Sequence, residues 1–102
     1  MTDLIAQHRE QLAALCRRYD VARLDIFGSA VRDDFDIARS DLDFLVQFNH
    51  FTVGNAVDRF FGLLFDLEEL FGRKIDLVSD RAIRNPYFRK SVDSERVNLY
   101  AA

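Results

Sequence analysis

Two aspartates separated by one residue, Asp41 and Asp43, stand at the entrance to the apolar run Phe44–Phe48. Strand side chains alternate between faces, so this spacing puts both carboxylates on one face, their Cα atoms roughly 6.6 Å apart. Leu42 and Phe44 then point to the other face, into a core. Like charges so placed repel, and an ordinary fold gains nothing from the pair. A divalent cation held by oxygen ligands accounts for it, and Mg²⁺ characteristically takes one or two carboxylates together with substrate phosphates.

What precedes the pair fits the same chemistry. Val21–Phe27 reads as a strand with Leu24 and Ile26 on one face and Arg23, Asp25 and Phe27 on the other. Asp25 is expected on a partly exposed face, where a charge needs no special role. The strand runs into Gly28-Ser29, and Ala30–Asp33 reads as a short helical turn. A helix start offers free N–H groups and a positive dipole end to a phosphate. Glycine permits close backbone approach, and the Ser29 hydroxyl is a donor. Alone, such a turn is an ordinary strand-to-helix connection. Twelve positions ahead of Asp41, it reads as a phosphate seat, with Arg32 either reaching a phosphate or bracing the acidic loop.

The remaining chain supplies the scaffold. Thr2 or Asp3 caps a helix expected to run to about Tyr19, with Leu4, Ile5, Leu12, Leu15, Cys16 and Tyr19 on one stripe. His8 falls on the apolar side as a packed histidine. Leu42–Phe48 reads as a central strand, and His50 as a polar loop residue. The longest helix is expected from about Gly54 to Phe71, ended by Gly72. Its apolar arc of roughly 220° far exceeds the ~100° stripe of a plain surface helix. Val57, Phe60, Phe61, Leu64 and Phe71 are expected to face one core, and the margins of the arc to be sandwiched or to meet a partner. Lys74–Ser79 reads as a third strand with Lys74, Asp76 and Val78 on one face. An aspartate between apolar neighbours is costly unless paired, with Lys74 for instance, or metal-bound. Asn85-Pro86 opens a last helix packed by Tyr87, Phe88 and Val92, and Val97–Ala102 is expected to fray or to support a partner.

Length and composition bound the outcome. A chain of 102 residues, 49% hydrophobic and 30% charged, suits one domain over residues 1–102, and the strand and helix patterns along it make it α/β (α+β). A net charge of −3 argues against direct nucleic-acid binding, which leans on clustered Lys and Arg. The single cysteine, Cys16, excludes an internal disulfide framework and suits a reducing cytoplasm. No apolar run approaches a membrane span.

Gly28-Ser29 and Arg32, Ser40-Asp41-Leu42-Asp43, and the later strand carboxylate Asp76 together resemble the DNA polymerase beta-type nucleotidyltransferase superfamily. The form Gly-Ser-x-x-Arg with Ser-Asp-x-Asp resembles its minimal nucleotidyltransferases, the antitoxins paired with HEPN ribonuclease toxins. The resemblance spans roughly residues 10–100. The chain departs from the pattern at Asp33 and Asp34, where relatives commonly place a small residue, and its gap from Ser29 to Asp41 is about one residue longer.

The resemblance implies the polymerase beta-type fold, a small mixed β-sheet flanked by helices, and AMP transfer from ATP, assisted by two Mg²⁺ ions. Asp41, Asp43 and Asp76 are then the catalytic metal ligands, and Gly28, Ser29, Arg32 and Ser40 the nucleotide-binding residues. The implied acceptor is a tyrosine hydroxyl on a cognate HEPN-type toxin, and a homo-oligomer is left open. The alternatives are a catalytically silent antitoxin that masks the toxin by binding alone, and a plain interaction domain with fortuitous acids.

Overall fold

Apolar residues recur at helical spacing from Leu4 to Tyr19, yet the run is interrupted. The computed structural model describes residues 3–32, 41–49 and 55–102. In it, helix α1 (Asp3–Gln7) and helix α2 (Arg9–Arg18) meet at His8 instead of forming the single expected helix. His8 leaves helical geometry, with φ −116° and ψ 17°. Its Nδ1 lies 2.8 Å from the Leu4 carbonyl oxygen, and its ring packs 5.0 Å from that of Phe71.

Strand β1 (Val21–Phe27) and strand β2 (Leu42–Phe48) carry the expected residues. Helix α3 (Ala56–Phe71) follows, then β3 (Ile75–Ser79), helix α4 (Pro86–Glu95) and β4 (Val97–Ala101). The four strands form one mixed sheet in the order β3-β2-β1-β4. β2 is central, parallel to β3 and antiparallel to β1. β4 pairs antiparallel with the outer edge of β1, so the segment expected to fray is the fourth strand. Local chemistry sets the helix ends. Gly72 closes α3 at φ +62° with its N–H on the Glu68 carbonyl at 2.8 Å, a left-handed cap that glycine adopts without penalty. The Asn85 side chain accepts from the N–H groups of Tyr87 and Phe88 at 2.9 and 3.1 Å, with Pro86 in the first turn of α4.

Period-two alternation gives the sheet two unlike faces. On one, Leu24, Ile26, Leu42, Phe44, Val46, Ile75 and Leu77 join Ile5, Leu12 and Cys16 beneath the helices, with Leu63, Leu67 and Phe71 from α3. Burial pushes the Cys16 thiol up to about 12, so it behaves as a small core hydrophobe. The other face holds a smaller cluster, Phe27, Leu45 and Val92 with Val78 and Ile83, under α4. This second face also carries Asp25, Asp43 and Asp76.

Three expected packings differ. Val57, Phe61 and Phe65 on α3 are 67%, 45% and 61% exposed; the buried stripe is Leu63, Leu67 and Phe71, because the arc is wider than the surface the sheet offers it. Tyr87 is 83% exposed, and Phe88 reaches the second cluster only at its rim, edge-on to Phe27 at 6.1 Å. Asp25, expected on a partly exposed face, is fully buried, because the side chains of Arg23, of Arg96 at the end of α4 and of Asn98 on β4 close over it. Among the described residues, no helix is long and apolar enough to cross a membrane.

Candidate active site

The end of β1 and the beginnings of β2 and β3 meet at one end of the sheet. Antiparallel pairing sets Phe27 opposite Asp43, and parallel pairing sets Asp76 opposite Asp43. Two carboxylates from adjacent strands therefore stand side by side on the second face. Immediately after Phe27 the chain makes a single 3₁₀ turn, Gly28–Ala30, shorter than the expected helical turn. Gly28 has φ +77°, and a Cβ there would be driven into the Asp43 carboxylate. Only glycine satisfies both the left-handed backbone and the missing space.

The acids differ in surroundings. Asp41, half-buried at the head of β2, lies 3.8 Å from Lys74 Nζ, so Lys74 meets Asp41 and not Asp76. Asp76 is exposed. The expected cost of an aspartate between apolar neighbours does not arise, since Ile75 and Leu77 turn into the core while Asp76 faces outward from an edge strand. Asp43 is the strained member. Burial pushes its carboxyl up to about 6, with the charges of Asp76 and Asp41 adding to the shift and Arg32 opposing it.

The turn has a partner that sequence reasoning missed. Glu95, the last residue of α4, accepts the Gly28 N–H at 3.0 Å through Oε1 and an Arg32 N–H at 2.9 Å through Oε2. Arg32, expected on a phosphate or the acidic loop, makes this bond to the end of α4, while the acidic loop itself lies outside the described residues. The signal available in the sequence was slight: an acid in the last turn of a helix opposes the macrodipole, which favours cations there. Ser29 is half-buried in the turn. Ser40 and the loop from 33 to 40 lie outside the described residues, as does His50.

Among the described residues, no three His, Cys, Asp or Glu side chains are gathered closely enough to hold a metal ion as they stand. The donor chemistry nonetheless fits Mg²⁺. Asp41, Asp43 and Asp76 offer oxygen donors, and the charges of Asp76 and Asp41, which add to the burial that raises the Asp43 carboxyl, are of the sign a cation neutralises. A cavity of about 280 Å³ between Gln47, Phe48, Arg59, Phe60, Arg81 and Arg84 lies at the opposite end of β2, away from the acids.

A glycine turn thus stands beside paired carboxylates from adjacent strands. The model of the nucleotidyltransferase domain family matches residues 8–99, and the chain belongs to that family. It is 35% identical over 93% of its length, and 90% of the relative's, to the protein of Methanocaldococcus jannaschii named "Putative protein adenylyltransferase MJ0128". The solved "Structure of putative minimal nucleotidyltransferase" superposes with a TM-score of 0.75 at 33% identity, covering 93% of this chain and 92% of that one. The MNT antitoxin fold is shared as well. A complex of tri-AMPylated Shewanella oneidensis HEPN toxin with MNT antitoxin matches at a TM-score of 0.66 and 16% identity, over 95% of this chain and 72% of that one. The mixed four-stranded sheet flanked by helices is thus the minimal nucleotidyltransferase fold, and the chain is a nucleotidyltransferase.

Proposed function

We propose that the chain transfers AMP from ATP to a tyrosine hydroxyl of a HEPN-type toxin, with Mg²⁺, and so acts as its antitoxin. One observation carries this reading: Asp43 and Asp76 stand in register beside a glycine turn whose missing side chain leaves room only for the Asp43 carboxylate. The names of the relatives support the adenylyl group and the toxin partner.

Phosphoryl-type transfer asks for alignment and neutralisation of charge more than for covalent help from the protein. Gly28 and Ser29 hold the β- and γ-phosphates, Gly28 by permitting close backbone approach while its own N–H stays on Glu95, and Ser29 through its N–H and hydroxyl, so that pyrophosphate leaves. Arg32 and Ser40 complete the nucleotide side. Asp41, Asp43 and Asp76 would hold two Mg²⁺ ions, which when bound neutralise developing charge and acidify the acceptor hydroxyl. Asp76, exposed on its edge strand, is open to an incoming protein and takes the hydroxyl proton.

A second reading rests on the exposed stripe Val57, Phe61 and Phe65, with ring centroids of Phe61 and Phe65 6.1 Å apart. Apolar residues four apart on one helix make a surface for a partner helix, and masking by contact alone would need nothing more. Intact-mass measurement of the toxin after incubation with the protein, Mg²⁺ and ATP separates the two. Added AMP that disappears with Asp43→Asn supports transfer. Inhibition of the toxin without added mass leaves masking as the function.

A further inference from the structure

We infer that Glu95 is a positioning residue for nucleotide binding: it fixes the Gly28–Ser29 turn and Arg32 in the arrangement that receives the triphosphate. The inference rests on reading that turn as the phosphate seat. Glu95 ends α4, where the helix dipole disfavours a negative charge, and its side chain is largely covered. Both of its oxygens are engaged, one by the Gly28 N–H at 3.0 Å and the other by Arg32 at 2.9 Å. These bonds tie residues 67 and 63 positions apart in the chain. Charge-assisted bonds of this length from a carboxylate to a backbone N–H and a guanidinium are among the stronger polar links available.

The neighbouring residue makes Glu95 a fixed brace. Arg96 bonds the fully buried Asp25 at 2.6 Å, Asp80 at 2.8 Å and Asp93 at 2.9 Å. The backbone at the end of α4 is thereby anchored to the sheet, and the Glu95 carboxylate is delivered to the turn from a rigid base. Opposite it, Asp43 fills the space a Gly28 side chain would occupy. The turn is held between a brace on one side and a carboxylate on the other. With the brace removed, the Gly28 N–H loses its acceptor and Arg32 is drawn towards Asp41 and Asp43, so the phosphate donors no longer converge.

Calorimetric titration of Mg·ATP and of Mg·AMP into the wild type, Glu95→Gln, Glu95→Ala, Arg32→Ala and the Arg32→Ala/Glu95→Ala double variant tests this. The expected result is ATP binding weakened about tenfold or more in both single Glu95 variants, the loss of a bond to a charged group. AMP binding should stay near the wild-type value, because the turn holds the outer phosphates. The double variant should lose less than the sum of its parts. Tighter ATP binding in Glu95→Ala would show the carboxylate to be a competitor for the phosphate seat, overturning the inference. Equal weakening of ATP and AMP would reduce Glu95 to a general structural role and overturn it too. Glu95→Gln preserves size, so it reports even where Glu95→Ala fails to fold. Wild-type protein that binds no Mg·ATP would overturn the phosphate-seat reading itself; wild-type binding with an unaffected Glu95→Gln would overturn the brace alone.

Discussion

Asp25 and Asp43 lie on the same face of the same sheet, on neighbouring strands, and the fold treats them in opposite ways. Asp25 is completely buried, and burial alone would push its carboxyl up. Hydrogen bonds from Asn98, Arg23 and Arg96 outweigh that, holding it below the usual carboxylate range. Asp43 is less covered, yet burial and the charges of Asp76 and Asp41 push it up to about 6. The cations of the second face gather around Asp25 and Asp80, where Arg96 and Arg89 are bonded. One carboxylate is a finished structural element. The other is left under-neutralised at the end of the sheet that is proposed to receive the nucleotide. Charge that a fold leaves uncompensated is where function is to be sought.

The contrast is sharpest in catalysis. Asp43→Asn should lower AMP transfer to the toxin by roughly a thousandfold or more, the scale on which removing a central charge-stabilising group acts. Intact-mass time courses read this directly, and transfer within tenfold of wild type would remove Asp43 from the machinery. Asp25→Ala should instead cost about 1–3 kcal/mol of stability, because it removes the buried acceptor shared by Arg23, Arg96 and Asn98, although Arg96 keeps Asp80 and Asp93. Urea unfolding is the measurement; a loss below about 1 kcal/mol would mean the Asp25 network holds little.

Gly28→Ala comes next, at roughly 1–3 kcal/mol for a strained positive φ, together with a loss of transfer as Asp43 is displaced. An unchanged melting temperature would dismiss the tight approach of turn and acid. A smaller effect has a characteristic pH dependence. With Asp43 near 6 in the folded chain against a usual 3.8, the folded state keeps a proton that the unfolded state releases. Stability from this group therefore falls as pH rises through that window and stays reduced above it. Metal-free Asp43→Asn should melt higher than the wild type at pH 7 and level with it near pH 4. A constant difference across that range would contradict the raised carboxyl. The smallest expected effect is on the helix margin: Phe61→Ser should change stability by less than about 0.5 kcal/mol while weakening binding to the toxin in a pull-down titration.

Local rules made much of this legible from residues alone. Alternation of apolar and polar side chains set β1 and β2 to the residue, and Gly72 and the Asn85-Pro86 pair marked the helix ends through backbone geometry that few residues satisfy. The same alternation put Asp43 and Asp76 on one face each of their strands. It could not say that they would be register partners, which depends on how α3 returns the chain. The helix break at His8 escaped because the apolar stripe continues across it. The burial of Asp25 escaped because Val97–Ala101 carries too short a pattern to announce a strand, and its pairing with β1 is a long-range event.

What the chain order of residues determined was local: which segments form strands and helices, where they stop, and which side chains share a face. Those follow from backbone sterics and from periods of two and 3.6. Tertiary structure alone decided which charges are neutralised. Glu95 reaches Gly28 across 67 residues and Arg96 reaches Asp25 across 71, and Coulomb energies depend on distance in space and on burial, neither of which is written along the chain.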